Sequence, residues 1–280
     1  MQQIRITLNE HPIVIRPGMK LFEVASVHKP EADLLILNGF PVRQDCQLHE
    51  GDVVMLIKRG EIPSREDLEA LMAARHTPGV HDVLKRSCVG IAGLGGLGSN
   101  IAVSLARVGV GKLLLVDFDV VEPSNLNRQQ YFIDQIGQLK TDALREILQK
   151  INPFLDYVAI QAKITEENIA ELFGAVDVIV EAFDAAETKA MFIENVHIQL
   201  PETPIVCGSG MAGYGDNASL HTRQIGHLYI CGDEKTEARP GQGLMAPRVG
   251  IVANMQANQV MEILLTQERV RHDHREQTGA

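Results

Sequence analysis

The sequence predicts an α/β fold, in which a doubly wound, mainly parallel β-sheet follows a small β-rich domain. Apolar strand-like runs alternate with amphipathic helical patterns from Ser87 onward, and a glycine-rich turn joins the first of these strands to its helix. The preceding residues follow a shorter period of their own. These changes predict four segments: a β-rich domain at 1–59, a helical connector arm at 60–86, an α/β domain at 87–270 and a flexible tail at 271–280.

The β-rich segment has the pattern of a small independent unit. Alternating apolar residues at 4–8 and 13–15, separated by Asn9 and Glu10, predict a β-hairpin. A short helix is predicted at 21–27, and two further strands are predicted at 34–37 and 53–57. The order β-β-α-β-β within so short a segment is typical of a β-grasp, ubiquitin-like domain.

The connector arm is polar and is predicted to be helical. Ser64 is followed by Glu66 and Asp67, which is a typical helix start because the hydroxyl caps the first turn and acidic residues stabilise it. A second short helix is predicted around Val83 and Leu84, directly before the first strand of the α/β domain.

A glycine-rich turn at 93–98 follows that first strand, and a helix then runs to Gly109. Glycines let the backbone approach an anion closely, and the N-terminus of the following helix points unpaired N–H groups at it. Asp117 ends the next strand, where a carboxylate accepts hydrogen bonds from ribose hydroxyls. The pattern predicts a nucleotide site, and its candidate residues in the turn are Gly93, Gly95, Gly96, Leu97 and Gly98.

Strands and helices continue to alternate through most of the α/β domain. A buried strand at 176–184 ends in Asp184, and a final helix is predicted at 248–265. Between them lies an irregular, glycine-rich stretch at 208–243, with short strand candidates at 219–222 and 227–231. A stretch of this kind in an α/β domain is usually a functional loop. The other predicted elements are helices at 140–150, 168–173 and 186–199 and strands at 158–160 and 204–207.

Charged residues follow the carboxyl ends of several predicted strands. Asp117, Asp119, Arg128, Lys140 and Asp184 converge on the glycine turn if each lies at the end of its strand or in the loop after it. A dehydrogenase needs only the glycine turn and one ribose acid. A triphosphate needs more, since cations hold its β- and γ-phosphates and a carboxylate such as Asp184 binds Mg²⁺ through oxygen. The set therefore favours ATP.

Composition excludes several other classes of function. The chain has 280 residues, 45% of them hydrophobic, and a formal net charge of −10. An acidic chain disfavours nucleic acid and anionic membranes as partners. It shows no signal segment, no run long enough to span a bilayer and no disulfide-like spacing of its four cysteines, so we expect a cytoplasmic protein with reduced thiols.

The charged and glycine-rich motifs resemble one enzyme family. Their order and spacing from about Ser87 to Leu265 are similar to those of the adenylyltransferases that activate ubiquitin-like sulfur carriers, which include the thiamine-pathway (ThiF) and molybdopterin-pathway (MoeB) enzymes and the ubiquitin-activating enzymes. The motifs that carry the resemblance are 93–98, 117–119, Ser124-Asn125-Leu126-Asn127-Arg128-Gln129, Lys140, Asp184 and Met245-Ala246-Pro247-Arg248-Val249-Gly250.

The first 59 residues resemble the sulfur carriers of thiamine synthesis (ThiS), which points to the thiamine branch. A carrier acts through a Gly-Gly carboxylate at a free chain end. Here the run Ile57-Lys58-Arg59-Gly60-Glu61 has one glycine and continues into the connector. The resemblance therefore implies a truncated carrier-like domain that docks or regulates, fused ahead of an activating domain.

The family resemblance implies a reaction and a role for each residue. A carrier's C-terminal carboxylate would attack the α-phosphate of Mg-ATP, giving a carrier acyl-adenylate and pyrophosphate. Asp117 would hold the ribose and Asp184 the Mg²⁺. The partner subunit's arginine reaches the γ-phosphate in such enzymes, and Arg75 matches its position, which implies a homodimer. The residues implied to surround the phosphates are Asp119, Asn125, Arg128, Gln129 and Lys140.

Two departures from the family pattern concern cysteine. Many relatives hold a structural zinc with two Cys-x-x-Cys pairs; this sequence has no such pair, so we expect no zinc. Some relatives form a covalent intermediate on a cysteine in the crossover loop. Cys231 is the candidate for that role, although Tyr229 and Ile230 before it favour an ordinary strand cysteine.

Three alternatives remain open at this stage. The chain is a nicotinamide-dependent oxidoreductase if the cations lie far from the glycine turn. It is a non-catalytic nucleotide-binding regulatory protein if its β-grasp domain occupies its own carrier groove. A third alternative is the same adenylation chemistry on another carboxylate, such as one on a modified tRNA, which the negative net charge disfavours. The carrier, the sulfur donor and the role of the β-grasp domain do not follow from the sequence.

Overall fold

The computed structural model describes residues 3–73 and 79–278, with side chains through 268. The chain divides into two compact units, Met1–Pro78 and Gly79–Ala280. Each unit has a hydrophobic core of its own. The division falls inside the predicted connector arm at 60–86.

The first unit is a five-stranded sheet packed against one helix. The order β-β-α-β-β is confirmed, with an additional two-residue strand after the predicted third strand. Leu21 and Val24 on the helix are fully buried against the strand residues Val54 and Leu56. The elements are β1 (Ile4–Leu8), β2 (His11–Ile15), α1 (Leu21–His28), β3 (Leu34–Leu37), β4 (Phe40–Pro41) and β5 (Val53–Ile57), with the sheet order β2-β1-β5-β3-β4.

The connector begins with the predicted helix start. In α2 (Arg65–Ala73), the Ser64 hydroxyl oxygen accepts a 3.0 Å hydrogen bond from the Asp67 N–H and donates to the Asp67 carboxylate at 2.8 Å. The second helix, α3 (Val80–Arg86), belongs to the second unit. Arg75, between the two, lies outside the described residues.

The second unit contains a seven-stranded sheet in the order β11-β12-β10-β9-β6-β7-β8. All neighbouring strands are parallel except β11, which pairs antiparallel with β12 at one edge. This confirms the predicted fold class. The strands are β6 (Cys88–Ala92), β7 (Lys112–Asp117), β8 (Asp156–Gln161), β9 (Val178–Glu181), β10 (Ile205–Gly208), β11 (His221–Ile225) and β12 (Leu228–Gly232).

Helices cover both faces of this sheet, because each face carries a continuous apolar surface. The helices are α4 (Gly96–Val108), α5 (Lys140–Ile151), α6 (Ile169–Phe173), α7 (Ala186–Gln199) and α8 (Ala246–Thr278). The larger core cluster joins α4, α5 and α8 to one face, and the smaller cluster joins α6 and α7 to the other. None of the helices within the described ranges is long and apolar enough to cross a bilayer.

Two elements differ from the sequence prediction. Strand β9 ends at Glu181, so Asp184 lies in the turn that follows it and not in the strand. Helix α8 begins at Ala246 and continues through Thr278, well beyond the predicted end at Leu265 and into the tail segment at 271–280. The apolar period fades after Leu265, but Gln, Glu and Arg are good helix formers and continue the helix without it.

The sheet has a topological switch point beside β6. From β6 the chain first builds β7 and β8 on one side, and it then crosses to build β9, β10 and β12 on the other. Ligands of open α/β sheets bind in the crevice at the carboxyl ends of the strands at this point. The turn after β6 and the turn after β9 both lie at this crevice.

An ion pair fixes the irregular segment between β10 and α8. Arg248 in the first turn of α8 donates a 2.7 Å hydrogen bond to the Asp233 carboxylate, and both side chains are almost fully buried. The same guanidinium donates to the carbonyl of Gly215. Burial alone would raise the pKa of Asp233, but hydrogen bonds from Thr236, Lys235 and Arg248 hold that pKa well below its ordinary value.

A substitution at Gly111 tests the packing between α3 and the sheet. A Cβ at this position would lie 1.8 Å from the Lys85 carbonyl oxygen. We expect Gly111→Ala to lower the free energy of unfolding by about 2 kcal/mol, as for other overpacked sites, measured by urea denaturation with far-UV circular dichroism. Gly250→Ala in α8 is the control, because no heavy atom lies within 4 Å of the added Cβ. Equal losses in both variants would contradict the packing explanation.

The ion pair at Asp233 predicts a pH-dependent stability. We expect Asp233→Asn to lower the free energy of unfolding at pH 7 by about 3 kcal/mol, because Arg248 is left buried without its counter-charge. The folded pKa of Asp233 is depressed, so its contribution is present above the ordinary Asp pKa of about 3.9 and declines as the pH falls below it. Urea denaturation of both proteins at pH 7 and pH 3.5 should therefore show the difference shrinking with acid.

Candidate active site

In the glycine turn, the backbone of the loop after β6 lies in close contact with the backbone of the first turn of α4. Gly93 has φ of +90°, a conformation that favours glycine. A Cβ at position 98 would lie 1.9 Å from the carbonyl oxygen of Gly93, so the first turn of α4 can pack on the loop only with glycine there. Leu97 turns its side chain into the core. The N–H groups at the start of α4 are left facing the crevice, as a phosphate site requires.

Buried side chains set the shape of this turn. The Asp117 carboxylate accepts hydrogen bonds from the N–H of Leu94 at 2.6 Å and from the N–H of Asp119 at 2.8 Å. The Tyr131 hydroxyl donates to the carbonyl of Leu94 at 2.8 Å. Burial, with the negative charges of Asp117 and Asp119, raises the pKa of Tyr131 far above its ordinary value, so its hydroxyl remains a donor. Each Asp117 oxygen keeps a second lone pair for a ligand.

The loop after β7 is tied to the N-terminus of α4. The buried Asn125 accepts from the N–H of Glu122 through its side chain at 3.0 Å. Its backbone carbonyl accepts from the N–H groups of Arg128 and Gln129. Asn100 in α4 donates to the carbonyl of Arg128 at 3.2 Å, so the loop and the glycine turn form one framework.

Arg128 and Gln129 lie over the glycine turn. An ideal Cβ on Gly96 would lie 3.5 Å from Cγ of Arg128, and the Arg128 guanidinium donates to Ser124 and Asn127 at the rim of the loop. The amide nitrogen of Gln129 is 3.8 Å from the corresponding position on Gly95. The Gln129 side-chain carbonyl is buried and has no hydrogen-bond partner among the residues that the structure describes, so it has an acceptor to offer a ligand.

Lys140 forms an ion pair with Asp119. Their Nζ and Oδ2 atoms are 2.7 Å apart, and the N–H of Lys140 also donates to the carbonyl of Asp119 at 3.0 Å. The Lys140 side chain is only 8% exposed, whereas that of Asp119 is 48% exposed. A buried lysine whose counter-ion faces solvent is well suited to receive a phosphate from the crevice side.

Asp184 lies two residues beyond the point where the β9 turn touches the glycine turn. A Cβ on Gly93 would lie 3.0 Å from the Ala182 carbonyl oxygen. Asp184 is exposed, and no hydrogen bond or ion pair joins it to the rest of the described chain. No group of three or more His, Cys, Asp or Glu residues suited to a metal occurs in the ranges 3–73 and 79–268. A single free carboxylate fits Mg²⁺, which is usually bound by one or two carboxylates with substrate phosphates and water.

Beyond Tyr131, the sequence analysis missed two residues beside the Asp184 turn. Glu181 ends β9 with a fully buried side chain and forms an ion pair with Lys189 of α7. Burial raises the pKa of Glu181, and the charge of Lys189 opposes that shift. A charged residue at the end of the apolar run 178–181, with a lysine in the first turn of the next predicted helix, is the signal that was available for this pair.

The cysteines of the second unit lie within strands. Cys231 is fully buried in β12, and burial raises the pKa of its thiol. Burial likewise raises the pKa of Cys207 in β10 to about 12. A protonated, buried thiol is a poor nucleophile, which agrees with the interpretation of Cys231 as an ordinary strand cysteine.

Comparison with known proteins identifies both units by sequence. Residues 69–277 match the ThiF family, and residues 4–60 match the ThiS-like ubiquitin family. The adenylyltransferase and sulfurtransferase UBA4 of Saccharomyces cerevisiae is 30% identical over 190 residues, which cover 65% of this chain and 42% of that protein. The molybdopterin-synthase adenylyltransferase of Escherichia coli is 32% identical over 189 residues, which cover 65% of this chain and 75% of that protein.

Solved structures with the same fold include nucleotide complexes. The tRNA N6-threonylcarbamoyladenosine dehydratase of E. coli in complex with AMP superposes with a TM-score of 0.64 at 20% identity, covering 71% of this chain and 94% of that one. E. coli MccB with ATP superposes with a TM-score of 0.53 at 24% identity, covering 66% of this chain and 57% of that one. At these identities the likeness establishes the fold alone.

The chain spans less than half the length of the yeast relative that it matches. The family match, by contrast, covers most of this chain and includes the glycine turn, the Asp117 strand, the Arg128 loop and the Asp184 turn. On that ground the chain belongs to the ThiF family and carries a ThiS-like ubiquitin domain in front of its ThiF domain.

Proposed function

We propose that this protein uses Mg-ATP to adenylylate the C-terminal carboxylate of a ubiquitin-like sulfur carrier. One observation carries the proposal. Arg128 packs against Gly96 of the glycine turn at the switch point of the sheet, and Lys140 pairs with Asp119, whose N–H binds Asp117 beside this turn. Asp184, a carboxylate without a partner among the described residues, follows the contact between Ala182 and Gly93. A nicotinamide dinucleotide makes no use of this set, whereas a triphosphate with Mg²⁺ uses all of it. The adenylyltransferase relatives support the same assignment.

The residues have separate roles in this proposal. Asp117 accepts hydrogen bonds from the ribose hydroxyls. Mg²⁺ held by Asp184 would neutralise charge on the phosphates. The N–H groups at the start of α4 bind phosphate together with Asp119, Asn125, Arg128, Gln129 and Lys140.

The reaction itself needs little from the protein beyond position and charge. A carrier carboxylate oxygen attacks the α-phosphorus of ATP, the bond to the bridging oxygen of the β-phosphate breaks, and pyrophosphate leaves with that electron pair. A terminal carboxyl group, with a pKa of about 3.5, is already ionised at pH 7, so no general base is required. Arg128 and Lys140 stabilise the charge that develops on the phosphates.

We assign the protein to thiamine (thiazole) biosynthesis on the basis of its ThiS-like domain. The segment that would end in Gly-Gly in a carrier continues here from Ile57 through Arg59 into the connector. The acceptor is therefore proposed to be a separate carrier chain with a free Gly-Gly end. The net charge of −10 supports a cytoplasmic protein without a nucleic-acid or membrane partner.

We further propose that the active form is a homodimer in which each site takes Arg75 from the partner subunit. The connector that bears Arg75 directly precedes α3 and the first strand of the ThiF domain. An arginine from the other subunit would add a cation at the γ-phosphate, where negative charge accumulates as pyrophosphate leaves.

Mass spectrometry of candidate carriers incubated with the full chain and Mg-ATP tests the proposed reaction. We expect a mass increase equal to AMP on a carrier that ends in Gly-Gly. Asp184→Ala should lower the rate at least 100-fold, because charge on the phosphates is no longer neutralised. Glu171→Ala is the control, since Glu171 is an exposed acid on α6, away from the crevice, and should keep the wild-type rate.

ATP–pyrophosphate exchange separates this activity from the alternatives. Exchange that requires the carrier, without any change in nicotinamide absorbance, is expected. Nicotinamide reduction without exchange would contradict the proposal. So would ATP binding without any AMP adduct on a Gly-Gly carrier, because that result indicates a regulatory protein.

Mixing two inactive variants tests the shared site. Arg75→Ala and Asp184→Ala should each be inactive alone. After subunit exchange at equal concentrations, half of the dimers are mixed and each restores one of its two sites, so about a quarter of wild-type activity should return. A mixture that stays as inactive as its components would show that Arg75 does not act across a dimer.

A further inference from the structure

The buried ion pair of Glu181 and Lys189 lies directly beside the Asp184 turn. The Glu181 carboxylate accepts a 2.7 Å hydrogen bond from the N–H of Phe183, two residues later in the chain, and accepts a second from Lys189 Nζ. Lys189 Nζ also donates to the Gly208 carbonyl at 3.0 Å. Lys189 of α7 therefore connects the ends of β9 and β10, and the Glu181 carboxylate connects this pair to the turn after β9.

The end of β9 is also contacted from the opposite face of the sheet. Gln256 of α8 is fully buried, and its amide nitrogen lies 3.4 Å from the carbonyl oxygens of both Glu181 and Val206. Helices α7 and α8 belong to the two different core clusters that cover the sheet. The backbone at Glu181 is thus held from both faces, and the residues after it start from a fixed point.

Within the described part of the chain, no contact of its own side chain fixes the position of the Asp184 carboxylate. It makes no hydrogen bond or ion pair within the described part of the chain. The N-cap of α7 is Ala185, whose side chain cannot cap the helix. The position of the Asp184 carboxylate therefore depends on the backbone of residues 182–185, and the hydrogen bond from Phe183 to Glu181 orients that backbone.

Burial of a charged pair at this place has an energetic cost. Removing two charges from water often costs as much free energy as their attraction gains. A protein with apolar residues of similar size in their place is frequently as stable. Glu181 is fully buried and the Lys189 side chain is 23% exposed. Stability alone does not account for such a pair, whereas orientation of the neighbouring turn does.

We propose that Glu181 and Lys189 are positioning residues that hold the turn 182–185 so that the Asp184 carboxylate faces the metal of the bound nucleotide. The inference rests on the proposed role of Asp184 as the Mg²⁺ ligand. It adds two residues that touch neither nucleotide nor metal but determine how well the metal is held. Outer residues of this kind commonly change metal affinity by 10- to 100-fold.

The test measures Mn²⁺ binding by the full chain in the presence of an ATP analogue with a methylene bridge between the α- and β-phosphates. Electron paramagnetic resonance gives the free Mn²⁺, and the analogue cannot be cleaved at the reacting bond. We expect Lys189→Met to weaken Mn²⁺ binding about tenfold. Binding of the analogue without metal should stay within about twofold of wild type, because the phosphate-binding groups are unchanged.

A second variant separates position from stability. Glu181→Met/Lys189→Met replaces the pair by apolar side chains, which should leave a folded protein with a melting temperature near that of wild type. It lacks the acceptor for the Phe183 N–H, so Mn²⁺ binding should again weaken about tenfold. Val196→Ala, at a fully buried site two turns further along α7, should lower the melting temperature and leave Mn²⁺ binding unchanged.

A double-mutant cycle shows whether the pair acts through Asp184. Asp184→Ala alone should give the weakest Mn²⁺ binding, and adding Lys189→Met to it should change nothing further. Additive losses, or wild-type Mn²⁺ binding by the folded double methionine variant, would overturn the inference. A wild-type chain that binds Mn²⁺ through Asp184 but never forms an AMP adduct would reject the proposed function and leave this result standing.

Discussion

Both backbone polar groups of Leu94, its N–H and its carbonyl, are bound by buried side chains, and the geometry of the crevice depends on these two hydrogen bonds. Its N–H is bound by Asp117 at 2.6 Å and its carbonyl by Tyr131 at 2.8 Å. Asp117 ends the neighbouring strand, and Tyr131 lies in the loop that carries Arg128. Leu94 therefore fixes the glycine turn relative to Asp117 and to the loop that carries Arg128. The N–H groups at the start of α4 stay available for an anion.

Most of the fold follows from local patterns in the sequence. The strand followed by a glycine-rich turn was predictable because only glycine fits at position 98, against the carbonyl of Gly93. The amphipathic helix that begins at Lys140 was predictable from its apolar period. The end of β9, which lies within the predicted strand at 176–184, was harder to predict, because hydrophobicity does not mark where strand pairing stops. The end of α8 was missed for a related reason: a helix of polar residues beyond Leu265 has no apolar stripe to indicate it.

Pairs of residues in the site were predictable only where the residue types and their positions at the ends of predicted elements both indicated them. Asp119 follows the end of β7 and Lys140 begins the next long helix, two positions at the ends of predicted elements, and the structure pairs them. The pairs of Asp233 with Arg248 and of Glu181 with Lys189 are closer in sequence, but they depend on how a helix packs against the sheet, which single-sequence patterns do not reveal. The roles of the individual site residues remain proposals, and Arg75 lies outside the described residues.

The burial of Cys231 has a consequence for the fate of the product. A mixed anhydride of a carboxylate and AMP is readily attacked by a thiolate, but this thiol lies inside a strand and stays protonated at neutral pH. The activated chain end would therefore have no capture partner on the Cys231 strand. Under the proposed function, a nucleophile other than Cys231 must therefore displace AMP from the acyl-adenylate before water hydrolyses it.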